Sequence, residues 1–85
     1  MSRDAVVTLF GRPGCHLCDE ARLGLEKLLS DGARFELHEV DIERDDLLHR
    51  EMLELIPVIE VNGARVSELI FEPDAVLARV DTFVP

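Results

Sequence analysis

Cys15 and Cys18 are the only thiols in the chain, and only His16 and Leu17 separate them in Gly11-Arg12-Pro13-Gly14-Cys15-His16-Leu17-Cys18. A cysteine attacks as its thiolate, and an ordinary thiol is mostly protonated at neutral pH. Two thiols this close can cycle between dithiol and disulfide. Placed at the start of a helix, the thiolate of Cys15 would be favoured by backbone N–H groups that have no partner. Arg12 is a permanent cation nearby, and His16 can add a hydrogen bond, or charge when protonated. Asp19 and Glu20 act in the opposite sense. Cys18, about one helical turn further on, is expected to be the more buried thiol. The expected division of labour has Cys15 attacking an oxidised substrate and Cys18 resolving the mixed disulfide.

Such a pair has other uses. A structural zinc takes four ligands. The chain has no second cysteine pair, and His16, His38 and His49 show no paired-ligand spacing. A metal or iron–sulfur cluster shared between two chains stays open, as does a module that docks a partner without chemistry. Inert buried cysteines are the plainest reading of isolated positions, and the strand–loop–helix context weighs against it. The carboxylates Asp45, Asp46, Glu51 and Glu54 lack EF-hand spacing and read as a solvated face. There is no glycine-rich nucleotide loop and no legible serine–histidine–acid arrangement.

The elements that must hold the thiols follow from pattern. Residues 5–10 form a β-branched and apolar run that reads as a buried central strand. Pro13, Gly11 and Gly14 make the next stretch a loop. Leu17, Ala21, Leu25 and Leu28 then recur at helical spacing, with Leu23 as a misfit and Gly32 as a left-handed cap. Residues 35–42 alternate as a second strand, with a slip between Leu37 and Val40 that predicts a bulge or an early end. A helix is expected over 45–55 and stopped by Pro57, then a strand over 58–61. Asn62-Gly63 is a hairpin signal, followed by a return strand over 64–70. Pro73 opens a last helix with Val76, Leu77, Val80 and Phe83 on its buried side. The order β-α-β-α-β-β-α predicts an α/β fold with a four-stranded mixed sheet and helices on both faces.

With 85 residues, a single domain over 1–85 is expected, and 47% hydrophobic content is too rich for a disordered chain. Acidic residues outnumber basic ones 18 to 9, a formal charge of −9 that repels nucleic-acid phosphates and anionic lipid. The first residues lack a signal peptide's basic region and apolar core, and the run 5–10 is too short to cross a bilayer. A cytoplasmic location is therefore expected. Structural disulfides are rare there, which leaves reduced thiols, a metal site or a reversible couple.

The chain resembles the glutaredoxin-like branch of the thioredoxin superfamily, and within it small bacterial glutaredoxin-like proteins. The resemblance is carried by Cys15-His16-Leu17-Cys18 after the first strand, Ile56-Pro57 before the third, and the element order. It implies a thioredoxin-like fold, a cis bond at Pro57 facing the cysteines, and a thiol–disulfide oxidoreductase. Cys15 and Cys18 would be catalytic, Arg12 and His16 would tune the thiolate, and Leu17, Ile56 and Pro57 would contact substrate. Ile56 would offer its main chain to an extended peptide or to glutathione, as strand addition does. The implied partners are a disulfide-containing protein or a glutathione-type thiol, with a reductase as electron donor. No bound cofactor is implied, and a monomer is expected. The family's proline and aromatic residue between the cysteines are His16 and Leu17 here, and its threonine–valine before the proline is Leu55-Ile56. The glycine pair that meets the glutathione carboxylate is replaced around Ser67-Glu68. These departures weaken the case for glutathione as co-substrate more than they weaken thiol–disulfide exchange.

Overall fold

The structure is a computed structural model that describes residues 5–82. Its strands are β1 (Ala5–Gly11), β2 (Phe35–Asp41), β3 (Val58–Val61) and β4 (Ala64–Glu68). Its helices are α1 (His16–Ser30), α2 (Asp46–Met52) and α3 (Pro73–Asp81), with a 3-10 turn over Ile42–Arg44. The sheet runs β2-β1-β3-β4. β1 pairs parallel with β2 and antiparallel with β3, and β3 pairs antiparallel with β4. The mixed sheet expected from the element order is therefore present, with β1 inside it.

Period-two burial explains why β1 can be central. Ala5, Val7 and Leu9 turn to one face and are buried with Ile59 and Val61 of β3. Ala21 and Leu25 of α1 and Val76 and Val80 of α3 cover that face. On the opposite face Phe10 and Val58, cross-strand partners, meet Met52 and Leu48 of α2. Ile42 and Ile56 complete this smaller core, and both cysteines belong to it. The cysteine pair thus sits on a packed wall and not at the tip of a free loop.

Several boundaries differ from the pattern-based reading. Leu17 was expected on the buried stripe of the first helix but is 49% exposed, because α1 begins at His16 and turns Cys18, Ala21 and Leu25 inward. Leu23, the misfit, is exposed as its position on the helix requires. Ladder register between β1 and β2 is unbroken, so the slip near Leu37 is an early end: Ile42 leaves the strand to be buried in the 3-10 turn. The helix expected over 45–55 is shorter, since Asp45 caps α2 by accepting from the N–H groups of Leu47 and Leu48, and the helix ends at Met52. β4 ends at Glu68, where Leu69 takes a left-handed φ of 67°. The Leu69 N–H then donates to the carbonyls of Leu55 and Pro57 instead of continuing the ladder. Leu77 is only partly buried in α3, and Phe83 lies outside the described residues.

The turns follow their chemistry. Asn62 and Gly63 both have positive φ, as a two-residue hairpin of opposite hand needs. At the end of α1, Gly32 has a φ of 107°, its N–H donates to Leu29, and that of Ala33 donates to Leu28. This is the Schellman arrangement in which a left-handed residue satisfies the last carbonyls.

Candidate active site

The loop between β1 and α1 is built to deliver Cys15 to a helix end. The Cys15 N–H donates to the Arg12 carbonyl at 3.3 Å across Pro13 and Gly14, with Gly14 at a φ of 80°. Proline followed by a left-handed glycine is the composition of a type II turn. Cys15 emerges extended, with φ −86° and ψ 110°, and is the N-cap of α1. Its sulfur accepts a hydrogen bond from the Cys18 N–H at 3.2 Å. It therefore occupies the place where a serine or aspartate oxygen commonly satisfies a first-turn N–H.

Cys15 and Cys18 are joined as a disulfide, with their α-carbons 5.2 Å apart. Cys18 is 5% exposed and Cys15 is half-buried, the order expected from their places on the helix. Ile56 and both cysteines share one apolar cluster, and the Ile56–Pro57 peptide is cis. Ile56 and Pro57 are buried. The Ile56 N–H already donates to the Met52 carbonyl at 3.0 Å. Strand addition at Ile56 in this conformation would thus rest on its carbonyl.

The side chains of Arg12 and His16 each meet a carboxylate. The Arg12 guanidinium lies 3.6 Å from the Glu43 carboxylate, so part of its field is offset. His16 is exposed, with its Nε2 3.5 Å from Glu20 Oε1 one turn along α1. The clearest electrostatic aid to a Cys15 thiolate is the helix terminus itself, since the Cys18 N–H donates to the sulfur. Glu68, which would repel a carboxylate if it turned inward, instead accepts from Arg65 Nη1 at 2.7 Å. Among the described residues, no three His, Cys, Asp or Glu side chains converge as a metal-ligand set.

Two features escaped the sequence reading. A groove of about 220 Å³ reaches Cys18 from the β2 side of α1. Arg22 and Glu39 stand on its rim, 3.8 Å apart. Arg22 is four residues after Cys18, the spacing that places two side chains on one helix face, and this was the available signal. Glu39 reaches the rim only through the sheet. The other feature is Gly11, read from sequence as part of the loop after the first strand but found as the last residue of β1. A Cβ placed there would meet both Cβ and Sγ of Cys18 at 3.0 Å.

Comparison with known proteins places this geometry. No curated protein matches the chain. A solved structure of protein Ne2328 from Nitrosomonas europaea is 24% identical, with a TM-score of 0.79 over 94% of this chain and 95% of that one. Target protein XcR50 from X. campestris is 29% identical, with a TM-score of 0.70 over 93% of this chain and 99% of that one. A mutant thioredoxin from Halobacterium salinarum is 19% identical and superposes with a TM-score of 0.67, over 98% of this chain and 80% of its own. The fold is thus thioredoxin-like, and with the cysteine pair at disulfide distance it supports a redox-type role. A family model, Glutaredoxin-like domain (DUF836), matches residues 6–82, and the chain belongs to that family.

Proposed function

We propose that this protein is a thiol–disulfide oxidoreductase that reduces disulfides or mixed disulfides through Cys15 and Cys18. The observation that carries the reading is a half-buried Cys15 at the N-cap of α1, bonded to a buried Cys18 one turn on. In the reduced protein, the Cys15 thiolate attacks one sulfur of a substrate disulfide. That S–S bond breaks, the attacked sulfur forms a disulfide with Cys15, and the other substrate sulfur leaves as a thiolate that takes up a proton. Cys18 then loses its proton and attacks Cys15 Sγ, which releases the second substrate thiol and closes Cys15–Cys18. Two electrons pass from protein to substrate, and an external dithiol reductase or small thiol restores them.

The surroundings favour an extended, disulfide-containing peptide over glutathione. Leu17 is exposed beside the pair, and Leu69 and Ile70 are exposed where the chain is tied to Pro57. These offer apolar contacts, whereas Ser67 and Glu68 stand where the resemblance would place the glycine pair that meets the glutathione carboxylate.

Equilibration against graded ratios of glutathione to glutathione disulfide, with acid quench and mass spectrometry, tests the proposal. The expected result is reversible interconversion of dithiol and intramolecular disulfide, with little lasting glutathione adduct. On the reduced protein, alkylation of Cys15 is expected to titrate below about 8.5, the value of a free thiol. A pair that does not interconvert, or a Cys15 that titrates at or above that value, removes the reading.

A further inference from the structure

Gly11 closes β1 opposite Asp41 of β2 and is buried. The glycines with positive φ are Gly14, Gly32 and Gly63, so backbone conformation is not what requires glycine at 11. Space is. The would-be Cβ lies 3.0 Å from Cys18 Cβ and 3.0 Å from Cys18 Sγ. Nonbonded carbon atoms rest at roughly 3.5–4.0 Å, and sulfur is larger than carbon. Even a methyl group at 11 would have to push the start of α1 off the sheet or turn the sulfur aside.

We propose that Gly11 is a positioning residue for the Cys15–Cys18 couple: its missing side chain is the berth that Cys18 Sγ occupies while bonded to Cys15. This rests on the oxidoreductase reading above. The two close contacts respond differently to reduction. Cys18 Cβ is carried by the helix backbone, so its contact with residue 11 is similar in both redox states. Sγ is pinned beside residue 11 only while the S–S bond holds it. When two electrons and two protons convert the bond to two thiols, Sγ is free to turn about Cα–Cβ. A methyl group at 11 therefore opposes the disulfide more than the dithiol. It makes the couple more oxidising without touching substrate.

The test measures the potential of Gly11→Ala beside the unaltered protein in glutathione buffers, with the fold followed by circular dichroism. The equilibrium constant for forming the disulfide is expected to fall roughly tenfold, which is about 30 mV for a two-electron couple. Gly11→Ser should move it at least as far in the same direction. An unchanged or lower potential in a folded variant overturns the inference while leaving the oxidoreductase reading intact. An unaltered protein that does not interconvert removes that reading first. Should Gly11→Ala fail to fold, Gly11→Ala with Cys18→Ala decides. With Sγ gone, a folded double variant sustains the berth, and an unfolded one overturns it.

Discussion

Cys15 and Cys18 are chemically the same residue, and position makes them different. Cys15 receives the Cys18 N–H at the helix start and remains half exposed, while Cys18 is buried against the end of β1. The roles can be separated by trapping. Cys18→Ser, reduced and mixed with a disulfide peptide, should accumulate close to one peptide per chain on Cys15. Cys15→Ser should accumulate almost none under the same conditions. Intact-mass spectrometry reads both, and equal trapping by the two variants would contradict the asymmetry. The pair and its order were legible in the spacing alone. The offset of Arg12 by Glu43 was not, because Glu43 reaches it only after β2 has turned into the 3-10 segment.

At the scale of elements, α1 must lie close enough to its neighbours to hold Cys15 beyond the C-terminal end of β1. Gly24, in the middle of α1, permits this. A Cβ there would run into the ring of Phe71 in the link between β4 and α3, within 2.8 Å of Cδ2. Alanine in place of a mid-helix glycine ordinarily gains about 1 kcal/mol. Here overpacking of the ring, a cost of about 1–3 kcal/mol, should win. Gly24→Ala is expected to lower stability by about 1 kcal/mol in urea denaturation. In a Phe71→Leu background the same change should become neutral or stabilising. A gain in both backgrounds would mean that the ring is not the constraint. Sequence placed Gly24 beside the helix stripe but could not show its partner, which is 47 residues away along the chain. The same limit explains the shortened β4. Its end depends on Leu69 turning to the Leu55 and Pro57 carbonyls, a choice made between segments and not within one.

For the molecule as a whole, a formal charge of −9 should bias which disulfides arrive. Reduction of a cationic disulfide such as cystamine should gain on that of an anionic one such as dithiodipropionate at low salt. The two differ in thiol acidity, so the informative quantity is the change in their rate ratio with salt. That ratio is expected to shrink several-fold between about 10 mM and 1 M salt, as the Debye length falls from about 30 Å to 3 Å. Stopped-flow measurement at matched pH reads it, and a ratio indifferent to salt would remove steering by net charge. Among the described residues, no helix is long and apolar enough to cross a membrane.

The sequence by itself determined which elements form and in what order, because helix and strand periods, the Pro-Gly and Asn-Gly turns and the glycine cap are local properties of neighbouring residues. It also determined that two thiols stand one turn apart at a helix start. Only the tertiary structure decided what surrounds them. Gly11 beside Cys18, Glu43 beside Arg12, Arg22 beside Glu39 and Ile56 in the cysteine cluster all join segments distant in sequence. Their contacts exist because the sheet pairs β1 with β2 and β3 at one register, which a periodicity does not encode. The pairing of Cys15 and Cys18 was thus written locally, while the fit around their sulfurs came from packing.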